Sequence, residues 1–507
     1  MSESGGALPP TSTLPTSTPP TSTLAAEPSS EIPLWLVIGL VLVMIVGVAF
    51  VGVALLTGKH DKDEAPTYPS AWDPRIAPYA KVVEKQRGLT FLHPVAVRFL
   101  PDAAFEKTVR TDRSKLDEED RKEIEQATGM MRALGFIGGD VDLLDASDDA
   151  HGSGTLAYYS FDDRRITIRG LELKPSVRAT LVHELTHALQ DQRFGVGARL
   201  TKLDKESKHA STSEGSVLRA ITEGDAERVS TLYRNSLTPK QRKALDKGRR
   251  DETDTAGQKL QHVPKVVLTM ISAPYTLGQA LVEAVAQNGG NAAVDELFRD
   301  TPTHETALLD PFEVVLGGAD AVKVPVPAVG DGEKKFASGE LGVLTWYFML
   351  SEHMPAQDAL AAADGWGGDA YVVYDHAGTS CVRAAYAGRT AADTARMESA
   401  LRRWITALPG SSATATVDGD LVRFASCDPG HAAKGGTDGS VEAMNLAAVR
   451  TYLGLAIVRA GNPARLGRCV AGKLVTQYPV ANLADPRFGV DDPTVKARVQ
   501  QDAAACR

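Results

Sequence analysis

Cysteine is scarce and unevenly placed in this 507-residue sequence: all four, Cys381, Cys427, Cys469 and Cys506, fall in its last quarter. None stands in a Cys-x-x-Cys pair, which excludes a zinc ribbon and a thioredoxin-like redox motif. Four widely spaced cysteines instead suit two disulfides and an oxidising compartment. A concentrated basic stripe is also missing, and the net charge of −9 with a pI near 5.7 argues against nucleic acid as a partner, because phosphate binding needs clustered Lys and Arg. Aromatic residues make up only 6%, yet 43% hydrophobic and 23% charged residues describe a folded protein. The length suits two or three domains.

Charge is absent altogether from one stretch. Pro33 to Thr57 runs 25 residues without an ionisable side chain, enough at 1.5 Å per residue to cross a hydrocarbon core of about 30 Å. The preceding residues, 1–32, are a Pro/Thr/Ser-rich tail in which Thr-Ser-Thr recurs at 11–13, 16–18 and 21–23; such a segment has little to bury and is expected to be disordered. The tail lacks Lys and Arg and the apolar run is too long for a cleaved leader, so 33–57 is expected to be a single transmembrane helix in a lipid bilayer. Lys59 and Lys62 after it favour a cytoplasmic main domain. Asp61, Asp63 and Glu64 share that flank, and the cysteines point outward, so the expectation is a single-pass cell-membrane protein with an extracytoplasmic main domain.

A linker over 58–75 leads into the folded region. Candidate strands are Ala96–Leu100, Val141–Leu144, Thr155–Phe161 and Arg165–Arg169, the last two joined as a hairpin through Asp162-Asp163. Helical spacing follows over Lys174–Phe194, Ser213–Asn235, Gly278–Phe298 and Gly339–Glu352. Strands return near Tyr371–Tyr374, Cys381–Ala385 and Leu421–Ala425 around a helix at Ala391–Leu408, and helices close the chain at Val441–Ala460 and Pro493–Ala505. Strands first and helices later indicate an α+β fold. The expected division is a main domain at 76–362, an α+β extension at 363–435 and a helical module at 436–507 in which Cys469 and Cys506 could staple the helices together. The Gly-rich GWGGD at 365–369 fails as a phosphate loop, since no strand precedes it and no Gly-Lys-Ser/Thr follows.

The chemistry concentrates in one motif. His183-Glu184-Leu185-Thr186-His187 is His-Glu-x-x-His, and residues four apart share a helix face, so both imidazoles can reach one ion. Glu184, adjacent to the first ligand but unbound, is placed to take a proton from water activated by the ion and pass it to a leaving amine. A catalytic zinc takes three protein ligands, and Ile221-Thr222-Glu223-Gly224-Asp225-Ala226-Glu227 offers Glu223 as the third. Gly224 suggests a close approach to the metal helix. Glu227, one turn after Glu223, is positioned to hydrogen-bond a ligand histidine, with Asp191 and Asp225 as rivals for that role.

HELTHALQDQRF followed by ITEGDAE resembles the gluzincin zinc peptidases, and in particular a poorly characterised bacterial branch with HELTHALQDQ-type sequences. Pro274-Tyr275-Thr276-Leu277-Gly278 matches a Pro-Tyr-x-x-Gly element of that branch. Thr301–Thr306 matches a Pro-x-x-Thr-Glu element loosely, and GELG at 339–342, GWGGD and CDPG at 427–430 are also similar. The resemblance spans roughly 90–430 and is densest at 178–230. It implies a zincin-like domain binding one Zn2+ between two helices through His183, His187 and Glu223, with Glu184 as general base and a peptide or protein as substrate. Zincins add a His or Tyr that stabilises the oxyanion, for which Tyr275 leads over His262, His304 and Tyr233. The resemblance further suggests that an edge of the 155–169 hairpin pairs with an extended peptide. An inactive scaffold on the same frame and a zinc amidohydrolase acting on a non-peptide envelope amide are the alternatives.

Overall fold

The computed structural model of the chain describes residues 68–207, 211–318, 320–408, 412–485, 488 and 492–507. The expected tail and transmembrane segment, and the linker as far as residue 67, lie outside them. The described chain is α+β with two separate sheets.

Helix α1 (Ala77–Arg87) opens with Pro78 in its first turn, where the missing N–H costs nothing, and ends at Gly88 with φ 67°. Strand β1 (Ala96–Leu100) follows, then the polar helix α2 (Glu118–Ala133), whose start is fixed by a reciprocal Asp117/Asp120 capping box. Strands β2 (Ala157–Ser160) and β3 (Arg165–Arg169) form the expected antiparallel hairpin, and β3 also pairs in parallel with β1. The sheet order β1-β3-β2 leaves β2 on an edge. The strand expected at Val141–Leu144 is instead the start of a helix, Leu143–Gly154, because the Asp142 side chain accepts from Asp145 N and caps it. A short apolar run reads equally as a strand or as one turn of helix, and here the cap decides.

Helix α3 (Pro175–Phe194) begins at Pro175 and stops at Gly195, φ 64°, and nearly every residue from 176 to 190 is buried. A helix apolar or buried on all sides belongs in the interior. Helix α4 (Glu214–Ser236) packs across it. Helix α5 (Lys265–Arg299) starts well before the expected Gly278, with Pro274 inside it and a break at Gly290. A Cβ on Gly278 would stand 1.9 Å from the Ala220 carbonyl oxygen, and one on Gly224 would stand 2.2 Å from the Gly278 carbonyl carbon. Gly224 therefore serves the contact of α4 with α5, not with the metal helix as expected from sequence.

In the second half, β4 (Lys334–Gly339), helix α6 (Val343–Ser351), β5 (Trp366–His376), β6 (Thr379–Gly388), helix α7 (Ala391–Ala407), β7 (Thr414–Asp418) and β8 (Leu421–Cys427) build an antiparallel sheet in the order β4-β5-β6-β8-β7. Since β4 belongs to it, this sheet straddles the boundary expected at 362/363. Cys381 and Cys427 are register partners on β6 and β8 and form a disulfide. Helices α8 (Gly439–Arg459), α9 (Ala464–Gln477) and α10 (Pro493–Ala505) close the chain, with Cys469–Cys506 stapling α9 to α10. Among the described residues α8 alone is long and apolar enough to cross a membrane, but half of its most apolar window is buried inside the fold.

Two cores result. The smaller joins the first sheet to α1 and α3; the larger runs from α4 and α5 through α6 to the second sheet. Helix α4 serves both, with Val217, Leu218, Ala220 and Ile221 in the larger and Val229 and Tyr233 in the smaller. Glu223 lies where it passes from one to the other.

Candidate metal centre

The i, i+4 spacing on α3 sets the His183 and His187 rings 4.6 Å apart in a T-shaped arrangement. Helix α4 brings Glu223 between them, with its Oε2 3.2 Å from Nε2 of each imidazole. All three side chains are buried, and their ligand atoms lie within 4.8 Å of one another. Bonds of about 2.1 Å at tetrahedral angles set ligand atoms roughly 3.4 Å apart, so this donor set fits a single metal ion. Two neutral imidazoles and a carboxylate suit zinc among other divalent ions.

Electrostatics favour positive charge at the centre of this group. Burial opposes charge on His183, but the hydrogen bond with Glu223 and the neighbouring Glu227 and Glu184 carboxylates push its pKa up to about 10. His187 also rises: burial opposes its charge, but the charge and hydrogen bond of Glu223 together with the charge of Glu184 outweigh it. Burial would raise Glu223, yet the charge of His187 and the hydrogen bonds from both rings hold it at about 2. Glu184 behaves in the opposite way: burial lifts its pKa, with the two imidazoles and the Tyr159 N–H acting against the rise. That N–H donates to Glu184 Oε2 at 2.7 Å from the edge strand β2. The outer backbone of β2 therefore faces the site, and the general-base candidate is fixed by it.

The residues around the ligands are partly those expected. Glu227 Oε2 lies 3.7 Å from His183 Nδ1, beyond hydrogen-bond range, and both atoms are buried without another partner. Asp191 touches neither ligand; it accepts from the Tyr159 hydroxyl at 3.0 Å and from Gly197 N at 2.9 Å. Asp225 acts at one remove. His187 Nδ1 meets Gln190 Oε1 at 3.0 Å, and Gln190 Nε2 donates to Thr222 O at 3.0 Å and to Asp225 Oδ2 at 2.9 Å. Arg87 closes the chain, donating to Asp225 at 2.8 Å and to Asp295 at 2.6 Å. Because the Gln190 amide oxygen can only accept, it keeps the proton on Nδ1 and leaves Nε2 for a metal.

Gln190 and Arg87 carry no role in the sequence reading. Gln190 could have been found, since it lies one turn after His187 on the same helix face; Arg87 leaves no local signal. Of the oxyanion candidates, Tyr275 stacks against His183 with ring centroids 6.1 Å apart. The structure places the others elsewhere: His262 pairs with Asp149, His304 with Glu340, and Tyr233 packs edge-on against Tyr79.

The three elements GELG, His304-Glu305 and GWGGD meet in one buried cluster. Asp369 accepts from Leu341 N, Gly342 N and the Trp346 and Trp366 indoles, while Glu305 accepts from Leu344 N at 3.1 Å. Ser211 bridges Ser338 and Glu340 through backbone hydrogen bonds, so the cluster steadies the chain entering α4.

Residues 331–433 match a family described as a domain of unknown function (DUF8575). They cover the second sheet and its helices and begin after the residues of the metal centre in sequence. No curated protein and no solved structure matches the chain.

Proposed function

We propose that the chain is a membrane-anchored zinc metallopeptidase of the gluzincin kind, with a zincin-like domain and an extracytoplasmic site. The observation that carries this reading is Glu184: a buried carboxylate of raised pKa, held by an edge-strand N–H, on the same helix as two imidazoles that converge with Glu223 on one point. His183, His187 and Glu223 hold the ion. Bound there, zinc supplies Lewis acidity and lowers the pKa of water.

The protein's own groups divide the remaining work. Glu184, its pKa raised by burial, accepts a proton from the attacking water and returns it to the departing amine. Gln190, Asp225 and Arg87 keep His187 in one tautomer and orientation. The outer edge of β2 offers main-chain groups to an extended peptide, which sets the scissile bond beside Glu184. Tyr275 is the proposed oxyanion donor. The two disulfides support placement outside the cytoplasm.

A second reading draws on burial. His183, His187 and Glu223 are only 1%, 2% and 3% exposed, a depth that also suits a metal held for structure on an inactive scaffold. Glu184→Gln separates the two. On the peptidase reading it keeps stoichiometric zinc by elemental analysis and loses peptide-library cleavage that the parent protein shows. A parent protein that binds zinc and cleaves no peptide favours the scaffold, or the amidohydrolase if it opens a non-peptide envelope amide.

A further inference from the structure

A cavity of about 550 Å3 lies among the short helices Thr306–Leu309 and Phe312–Leu316 and the helices α8 and α9, and shares no residue with the metal centre. Four arginines line it, Arg389, Arg450, Arg465 and Arg468, against three carboxylates, Asp310, Glu313 and Asp364. Arg468 binds Asp310 at 2.6 Å and Glu313 at 3.0 Å, and Arg389 also pairs with Glu313. Arg450 donates to Asp364 at 2.6 Å and to Leu309 O at 2.8 Å. The carboxylates thus account for three guanidinium charges. Arg465, exposed on α9, has no ion-pair or hydrogen-bond partner among the described residues.

A second observation comes from inside the wall. Arg450 is only 7% exposed, and its Nε is buried without a hydrogen-bond partner. Buried polar groups are almost always satisfied, and an orphaned donor on a charged side chain is costly. The wall carries one surplus positive charge beside the apolar side chains of Phe312 and Leu316, and the unspent Arg450 donor lies beneath its surface. The disulfide at Cys469 ties this stretch of α9 to α10, so the wall is held in place.

We propose that this cavity binds a small organic monoanion, a carboxylate with a short apolar body. Guanidinium groups match a carboxylate in shape and charge. One surplus charge balances a monoanion, whereas the wall carboxylates repel the second charge of a phosphate dianion. The volume lies within the range of small-molecule sites, about 300–1,000 Å3, and exceeds what a lone inorganic ion fills.

The test is calorimetric titration of the full-length protein with N-acetyl-L-leucine, L-leucinamide and inorganic phosphate. N-acetyl-L-leucine is expected to bind saturably, leucinamide not at all, and phosphate more weakly than the carboxylate. Arg465→Ala, which breaks no pair, should weaken N-acetyl-L-leucine by about tenfold, with zinc content and melting temperature unchanged. Arg402→Ala, at an exposed pair outside the cavity, should leave binding intact. Equal binding by Arg465→Ala, tighter binding of phosphate, or no saturable binding of the carboxylate at millimolar concentrations would each overturn the proposal.

Discussion

Gly278→Ala tests whether the contact of α4 with α5 sets the metal geometry. The added Cβ meets the Ala220 carbonyl oxygen at 1.9 Å and its carbon at 2.6 Å. Both are backbone atoms and cannot rotate aside. A comfortable carbon–oxygen contact is about 3.3 Å, so the helices must part by roughly 1.4 Å. Ala220 lies one turn before Glu223 on α4, while metal–ligand distances tolerate about 0.2 Å. Overpacking of this kind costs up to about 3 kcal/mol, and the better helix propensity of Ala returns about 1 kcal/mol. The expected net loss is about 2 kcal/mol in urea denaturation, with zinc affinity in a chelator competition falling at least about tenfold. Gly257→Ala is the control: it sits inside Pro239–Lys259, its Cβ would meet nothing within 4 Å, and it should stabilise by about 0.5–1 kcal/mol. A Gly278→Ala protein with the parent's denaturation midpoint and zinc affinity would refute the reasoning.

Three other outcomes follow from named contacts. Gln190→Ala removes the acceptor at His187 Nδ1 and should weaken zinc by about 10–100-fold in the same competition assay, while the helix itself remains folded by circular dichroism. Arg87→Met leaves Asp225, fully buried, without its cation; the expected loss is about 3–5 kcal/mol by denaturation, partly recovered when Asp225→Asn is added. Burial, aided by the charges of Glu340 and Asp369, pushes the Glu305 carboxyl up to about 8 from 4.5. Between those values the folded chain keeps a proton that the unfolded chain has released, so Glu305 makes stability fall as pH rises from 4.5 to 8. Glu305→Gln should flatten that fall by a few kcal/mol at most; a denaturation profile identical to the parent's at pH 5 and pH 8 would count against it.

The disulfides show how far chain position reads into structure. Cysteine count and spacing are enough to expect two bridges and to allow a Cys469–Cys506 staple in the terminal helices, but they do not specify which cysteines pair. The pairing of Cys381 with Cys427 depends on β6 and β8 being register partners, which strand boundaries read loosely from sequence cannot specify. Likewise helix α5 begins well before Gly278, where helical spacing sets its expected start, because its packing against α4 carries it through Pro274.

The metal site divides along the same line. By itself the sequence determined that His183 and His187 share a helix face with Glu184 beside them, on a helix expected over Lys174–Phe194. These are consequences of 3.6-residue periodicity and of backbone conformation, which act within one turn. Only the tertiary structure decided that Glu223 reaches both imidazoles, that Glu227 stands just beyond bonding distance, that Asp191 serves Tyr159, and that Asp225 reaches His187 through Gln190 and is held by Arg87, 138 residues away. Those assignments depend on how closely α4 crosses α3 and α5; at the crossing with α5 two glycines remove the atoms that would hold the helices apart. That distance is a property of packed surfaces and is written in no single segment of the chain.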